Sequence, residues 1–291
     1  LISEAYSLLK NRKGLDNDAM AVVFDEWNGG ELDSFLIEIT ANILRFRDED
    51  GKPLLDKILD VAGQKGTGKW SAIAAMDEND PLTLITEAVY ARLLSALYPE
   101  RIKAASLYSG KLKVESGKLS DNAQLSIEDV RQALYAAKLI SYAQGFSLLR
   151  HASEHYGWDL DYGTIARIWR KGCIIRSVFL QKITEAYRKD PDLENLLFDD
   201  FFHTKIQEAL PAWRRVVAEG ALSGVALPAM SSALNYFDGL RTLYSAANMI
   251  QAQRDYFGAH TYERTDRERG HFFHTNWTGE GGNTVSGTYS V

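Results

Sequence analysis

The chain has 291 residues, 45% of them apolar and 25% charged, with a formal net charge of −6. That composition can build one large globular domain or two smaller ones, and the acidic balance gives no electrostatic case for nucleic acid or an anionic membrane as partner. No run of about 18 apolar residues occurs, so no membrane span is expected, and the single cysteine, Cys173, allows no intrachain disulfide and fits a reducing, cytoplasmic setting.

Helical rhythm begins at once. Leu1-Ile2-Ser3-Glu4-Ala5-Tyr6-Ser7-Leu8-Leu9-Lys10 has no cap, no initiator Met and no signal-peptide pattern before it, so an upstream segment is expected. Apolar residues three and four apart then predict helices over 19–27, 32–46, 83–97, 126–150, 174–188, 204–219 and 228–256, with 53–62 and 70–76 also helical. Asp33 stands where a cap would precede Ser34-Phe35-Leu36-Ile37. Ser126-Ile127-Glu128-Asp129 reads as a capping box with Asp129 in the place of Glu or Gln. Convincing alternating strands are absent, so the expected fold is all-α.

Several blocks recur in order. Leu1-Ile2-Ser3 returns as Leu139-Ile140-Ser141, Ser7-Leu8-Leu9 as Ser147-Leu148-Leu149, Gly14-Leu15-Asp16 as Gly157-Trp158-Asp159, Trp27 as Trp169 and Ile39-Thr40 as Ile183-Thr184. An offset of about 140 with small drifts predicts two duplicated helical bundles, over about 1–135 and 136–260. From Thr261 the rhythm stops. His271-Phe272-Phe273-His274-Thr275-Asn276-Trp277 is aromatic and 278–287 is glycine-rich, so 261–291 reads as an extended tail that packs on its own body or on a partner subunit.

Gly63-Gln64-Lys65-Gly66-Thr67-Gly68-Lys69-Trp70 is the strongest local motif. Glycines allow close backbone approach, and a helix starting after them offers free N–H groups to an anion. The alternative is a plain tight turn between helices. A P-loop is rejected, because no strand precedes the motif and Trp70 stands where the Mg²⁺-binding Ser or Thr is required.

Ile58-Leu59-Asp60-Val61-Ala62-Gly63-Gln64-Lys65-Gly66-Thr67-Gly68-Lys69-Trp70 resembles the signature stretch of the 6-phosphogluconate dehydrogenases. Glu87-Ala88-Val89-Tyr90-Ala91-Arg92 matches a further family segment. Gln251-Ala252-Gln253-Arg254-Asp255-Tyr256-Phe257-Gly258-Ala259-His260-Thr261-Tyr262 and Phe273-His274-Thr275-Asn276-Trp277 match its C-terminal motifs. The resemblance implies the large helical domain of a decarboxylating enzyme of the pentose phosphate pathway, also used in gluconate utilisation. Such an enzyme oxidises 6-phosphogluconate with NADP⁺ and releases CO₂ and ribulose 5-phosphate. It implies that Lys65, Thr67 and Arg92 bind substrate from one subunit of a homodimer, and Arg254 and His260 from the other. The general base and the proton-donating glutamate are expected upstream of Leu1, Glu4 not being the latter, and NADP is held mainly by that upstream domain. No metal is implied. The chain alone is expected to be inactive.

Each residue has a plainer alternative. Lys65 can be a solvated turn lysine, as Lys69 is read to be; Arg92 can lie buried against Glu87; Arg254 can pair with Asp255 or a helix C-terminus; His260 can be structural. His151, His155 and His203 are read as structural, His271 and His274 lack the cluster a metal needs, and Cys173 is read as packing at an apolar helix start. A second reading of the whole chain is a helical dimerisation module that binds no sugar phosphate.

Overall fold

The computed structural model describes residues 1–108, 125–170 and 173–279, and separates the chain into two units, Leu1–Phe237 and Asp238–Val291. In the first, α1 (Ile2–Asn11) buries Ala5, Leu8 and Leu9. Asp16 caps α2 (Asn17–Asn28) by accepting from the Ala19 N–H at 2.8 Å. This helix packs on α3 (Phe35–Arg45), and their buried rows, Met20, Phe24 and Trp27 against Ile37, Ala41 and Leu44, keep the spacing that amphipathic helices require. Each such large side chain contributes about 1.5–3 kcal/mol by leaving water.

α4 (Thr67–Asp77) and α5 (Thr83–Ala96) form the next packed pair, followed by α6 (Tyr98–Tyr108). The pair rests on α7 (Ile127–Tyr156), a helix of 30 residues, partly through polar contacts. Fully buried Gln144 of α7 accepts from the Leu84 N–H at 3.1 Å and donates to Thr83 Oγ1 at 2.9 Å, serving the first turn of α5. Ser147 and His151 both reach the Asp80 carboxylate at 2.7 Å. The predicted capping box is present: Ser126 Oγ accepts from the Asp129 N–H at 2.9 Å, and Asp129 accepts from the Ser126 N–H at 2.8 Å.

α8 (Tyr162–Ile168) and α9 (Leu180–Lys189) pack together much as α2 and α3 do. α10 (Asp200–Ser223) makes the most extensive contact with α7. Pro211 sits inside it on the exposed face, where the carbonyl that loses its N–H partner can be hydrated. α11 (Pro228–Leu240) packs over α10 through Trp213, which is fully buried and donates its indole N–H to the Met230 carbonyl at 3.1 Å. Glu4, buried on α1, accepts from the N–H groups of Ala229 (2.7 Å) and Met230 (2.9 Å) and so caps α11.

Several predicted boundaries move. The helix expected over 228–256 is two, α11 and α12 (Ala247–Gly258), because the chain turns just after Gly239: the Thr242 N–H reaches the Gly239 carbonyl at 3.2 Å, and Ser245 Oγ accepts from the Ala247 N–H at 3.3 Å. The stretch 53–62 holds only a 3-10 turn, Leu54–Lys57, leaving Ile58 and Leu59 exposed. The helix expected over 174–188 begins only at Leu180. Cys173 and the residues after it form turns instead, tied by the Tyr142 hydroxyl to the Ile175 carbonyl at 2.6 Å. Ser34, not Asp33, occupies the cap position of α3, and it pairs with Ser177 in an isolated antiparallel bridge. Lys138 Nζ donates to Ser177 Oγ at 3.0 Å beside that bridge, and burial lowers its pKa to about 8. Sequence rhythm does not mark α6, whose residues are largely exposed, or α8, only 7 residues long.

In the second unit the tail is not wholly irregular. β1 (Tyr262–Glu263) pairs antiparallel with β2 (Phe272–Phe273), Tyr262 opposite Phe273, in the one sheet among the described residues. The following residues return to α12. The end of the glycine-rich stretch, from 280 onward, lies outside the described residues.

Candidate functional site

The glycine-rich motif is held from behind. The Ala62 N–H donates to Ser95 Oγ at 2.9 Å, and Arg101 donates to the Asp60 carbonyl at 3.2 Å while pairing with the Asp60 carboxylate. This anchors the approach to the turn on the end of α5 and the start of α6. Gly66 then adopts φ +100° at the cap of α4, a conformation that L side chains avoid. A Cβ on Gly68 would lie 2.8 Å from Val89 Cγ2, so this glycine lets α4 approach α5 closely. Two of the three glycines therefore have structural work. The plain-turn reading explains them, but it does not explain what surrounds the turn.

Lys65, Thr67 and Arg92 converge on one cavity of about 540 Å³, lined also by Gly63, Gln64, Gly66 and Gly68. Among the described residues no carboxylate lines it. Arg92 projects from α5, is exposed, and makes no ion pair with Glu87 among the described residues, so the buried-pair alternative fails. The cap of α4 is Gly66, which has no side chain to satisfy the first-turn N–H groups, and Gly66, Thr67 and Gly68 of that turn line the same cavity. An ammonium, a guanidinium, a hydroxyl and a helix N-terminus make a receptor for a dianion: the guanidinium can bind two oxygens at once, and the ammonium acts as a point charge. Gln64 lines the cavity but carries no sequence signal of its own, since a glutamine in a loop is ordinary.

In the second unit Arg254 is exposed on α12 and donates to Gln251 Oε1 at 2.9 Å. It does not pair with Asp255. That carboxylate is fully buried and holds the tail: Oδ1 meets His274 Nδ1 at 2.9 Å, and Oδ2 accepts from the Thr275 N–H at 3.0 Å and the Trp277 indole N–H at 2.9 Å. Burial alone would raise its pKa, but these hydrogen bonds together with His274 hold it below the ordinary carboxylate value. His260 follows Ala259, whose φ of +48° turns the chain out of α12, and its ring lies edge-on to Phe257 at 6.2 Å. From sequence alone Asp255 is only a rival partner for Arg254. The aromatic tail that binds it was the available signal.

His151 contacts Asp80, His155 meets Glu78 Oε2 at 2.8 Å, and His203 lies exposed beside Gln207. Among the described residues no group of His, Cys, Asp or Glu could hold a metal ion, and no helix is long and apolar enough to cross a membrane.

A family model described as 6-phosphogluconate dehydrogenase, C-terminal domain, matches residues 1–277. The chain belongs to the 6-phosphogluconate dehydrogenase family. Decarboxylating 6-phosphogluconate dehydrogenases from rat and Cunninghamella elegans are 54% and 55% identical to it over all 291 residues. The chain spans 59% of the length of each of these relatives. A solved 6-phosphogluconate dehydrogenase from Plasmodium falciparum, studied in its apo form and in complex with NADP⁺ and with 6-phosphogluconate, superposes with a TM-score of 0.89 at 43% identity. That match covers 95% of this chain and 58% of the other. The all-α fold class is thus that of the C-terminal domain of the 6-phosphogluconate dehydrogenases, and a small hairpin lies near the end of the described residues.

Proposed function

We propose that this chain is the substrate-binding and dimerisation portion of a cytoplasmic, NADP-dependent 6-phosphogluconate dehydrogenase. The observation that carries the reading is the cavity shared by Lys65, Thr67 and Arg92, with no carboxylate on its wall among the described residues. In this proposal Lys65 and Arg92 neutralise the phosphate of 6-phosphogluconate and Thr67 donates to the phosphate or a sugar hydroxyl. Arg254 and His260 reach the same substrate from the second subunit of a homodimer. NADP, bound mainly by a domain upstream of Leu1, supplies the hydride acceptor. The residues of this chain grip and orient the substrate, while the proton-transferring groups lie upstream.

Dimerisation is supported by large apolar side chains left in water around α12. Leu243, Tyr244 and Phe257 are 85%, 80% and 74% exposed, and Met249 and Ile250 are exposed as well. Such patches mark protein interfaces. Packing of the tail on the partner is part of the same proposal, although residues 274–277 already bind Asp255 of their own chain. The duplicated bundles are proposed with it. Ser34 and Ser177, which form the isolated bridge, are 143 positions apart, between the 138 that separates Leu1 from Leu139 and the 144 that separates Ile39 from Ile183.

Calorimetric titration of this chain with 6-phosphogluconate, beside Lys65→Ala and Arg254→Ala, tests the reading. Binding is expected in the parent and its loss in either variant, with no NADPH formed when NADP⁺ is added. Silence at millimolar ligand would favour a dimerisation module that binds no sugar phosphate. Measurable NADPH would overturn the assignment of proton and hydride transfer to an upstream domain.

A further inference from the structure

Asp255 is fully buried, whereas its helix neighbours Tyr256 and Phe257 are 61% and 74% exposed and Arg254 also faces solvent. Its carboxylate spends both oxygens on residues 274–277, and its backbone carbonyl accepts from the Ala259 N–H at 3.0 Å, closing the left-handed turn that leads to His260. The Tyr262 hydroxyl meets Thr275 Oγ1 at 2.5 Å. The chain from 255 through the turn, β1, the hairpin and β2 therefore returns to the same carboxylate. Inside this loop the His260 ring lies over Gly258 so closely that a Cβ there would stand 2.7 Å from His260 Cδ2. Arg254 precedes Asp255 by one residue, so fixing one side of this helical turn fixes the direction of the other.

We propose that Asp255 is a positioning residue: by clamping residues 274–277 onto the end of α12 it holds Arg254 and His260 in the orientation that receives the substrate phosphate. This rests on the functional reading above. A carboxylate suits the task, because it accepts from three donors at once and has no N–H of its own to oppose them. Asparagine keeps the shape but turns an NH₂ group toward one or more of those donors.

The test uses the full-length dimeric enzyme that contains this chain, with Asp255→Asn, Trp277→Phe, Arg254→Ala and the double variant of Asp255→Asn with Arg254→Ala. Asp255→Asn is expected to raise KM for 6-phosphogluconate about tenfold or more, with kcat and KM for NADP⁺ within about threefold. Trp277→Phe removes one donor, keeps an aromatic ring, and should move KM in the same direction by less, which preserves the test if Asp255→Asn does not fold. In the double variant, Asp255→Asn should add much less than it does alone, since it acts partly through Arg254. An unchanged KM in a folded Asp255→Asn dimer would overturn the proposal. So would a loss spread equally over kcat, both KM values and dimer stability. If Arg254→Ala itself leaves KM unchanged, the functional reading is what fails.

Discussion

Lys65→Ala in the full-length enzyme is expected to raise KM for 6-phosphogluconate by about 10- to 150-fold, the range that follows from losing one charge-assisted hydrogen bond worth about 1.5–3 kcal/mol. The ammonium faces a cavity whose wall, among the described residues, has Arg92 as its other cation and no carboxylate. kcat should fall much less, because the proposed proton- and hydride-transferring groups are elsewhere, and KM for NADP⁺ should not move. Lys69 is the internal control. It lies in the same motif, in the first turn of α4, but does not line the cavity, and Lys69→Ala should stay within about twofold, as an exposed lysine with no ion pair among the described residues contributes little. Steady-state kinetics at fixed ionic strength decide the matter. Equal effects at the two lysines would show a general field and no specific grip.

Trp213→Ala is expected to destabilise the fold by about 3–5 kcal/mol, the usual cost of emptying a large aromatic site in a core. Trp213 is fully buried among α7, α10 and α11 residues of one apolar cluster, with Phe237 6.3 Å away, and its N–H is used by the Met230 carbonyl. Trp213→Phe keeps much of the volume and loses the hydrogen bond, so it should cost clearly less. Urea denaturation followed by circular dichroism gives both values. A loss under about 1 kcal/mol for the alanine variant would mean that α11 is not anchored through this residue.

The sequence and the structure agree where the signal is local. Amphipathic rows announce α2, α3, α5, α7 and α10, and the capping box at Ser126 places the start of α7 to within a residue. Disagreement arises where apolar rhythm continues without burial. Leu243 and Tyr244 extend the pattern from α11 toward α12 yet are among the most exposed large side chains, so periodicity joined two helices that Gly239, Thr242 and Ser245 separate. Ile58 and Leu59 misled in the same way. Other features are non-local and leave no pattern to read. Glu4 caps a helix whose first N–H groups lie 225 and 226 positions away, and nothing near Glu4 announces it. In the candidate site the glycines and cations were legible through the family resemblance. The anchoring of the turn by Ser95 and Arg101, and the use of Asp255 by the tail, appear only in three dimensions.

In the proposed homodimer the glycine-rich turn of one subunit and the end of α12 of the other serve one substrate. Co-expression of full-length Lys65→Ala and Arg254→Ala chains under different tags, followed by isolation of the mixed dimer, tests it directly. If the site is shared across a two-fold interface, one site carries both lesions and the other carries none, so the mixed dimer should show about half the parental activity with parental KM. If both residues act within one subunit, every site carries one lesion, and no activity with parental KM will be found.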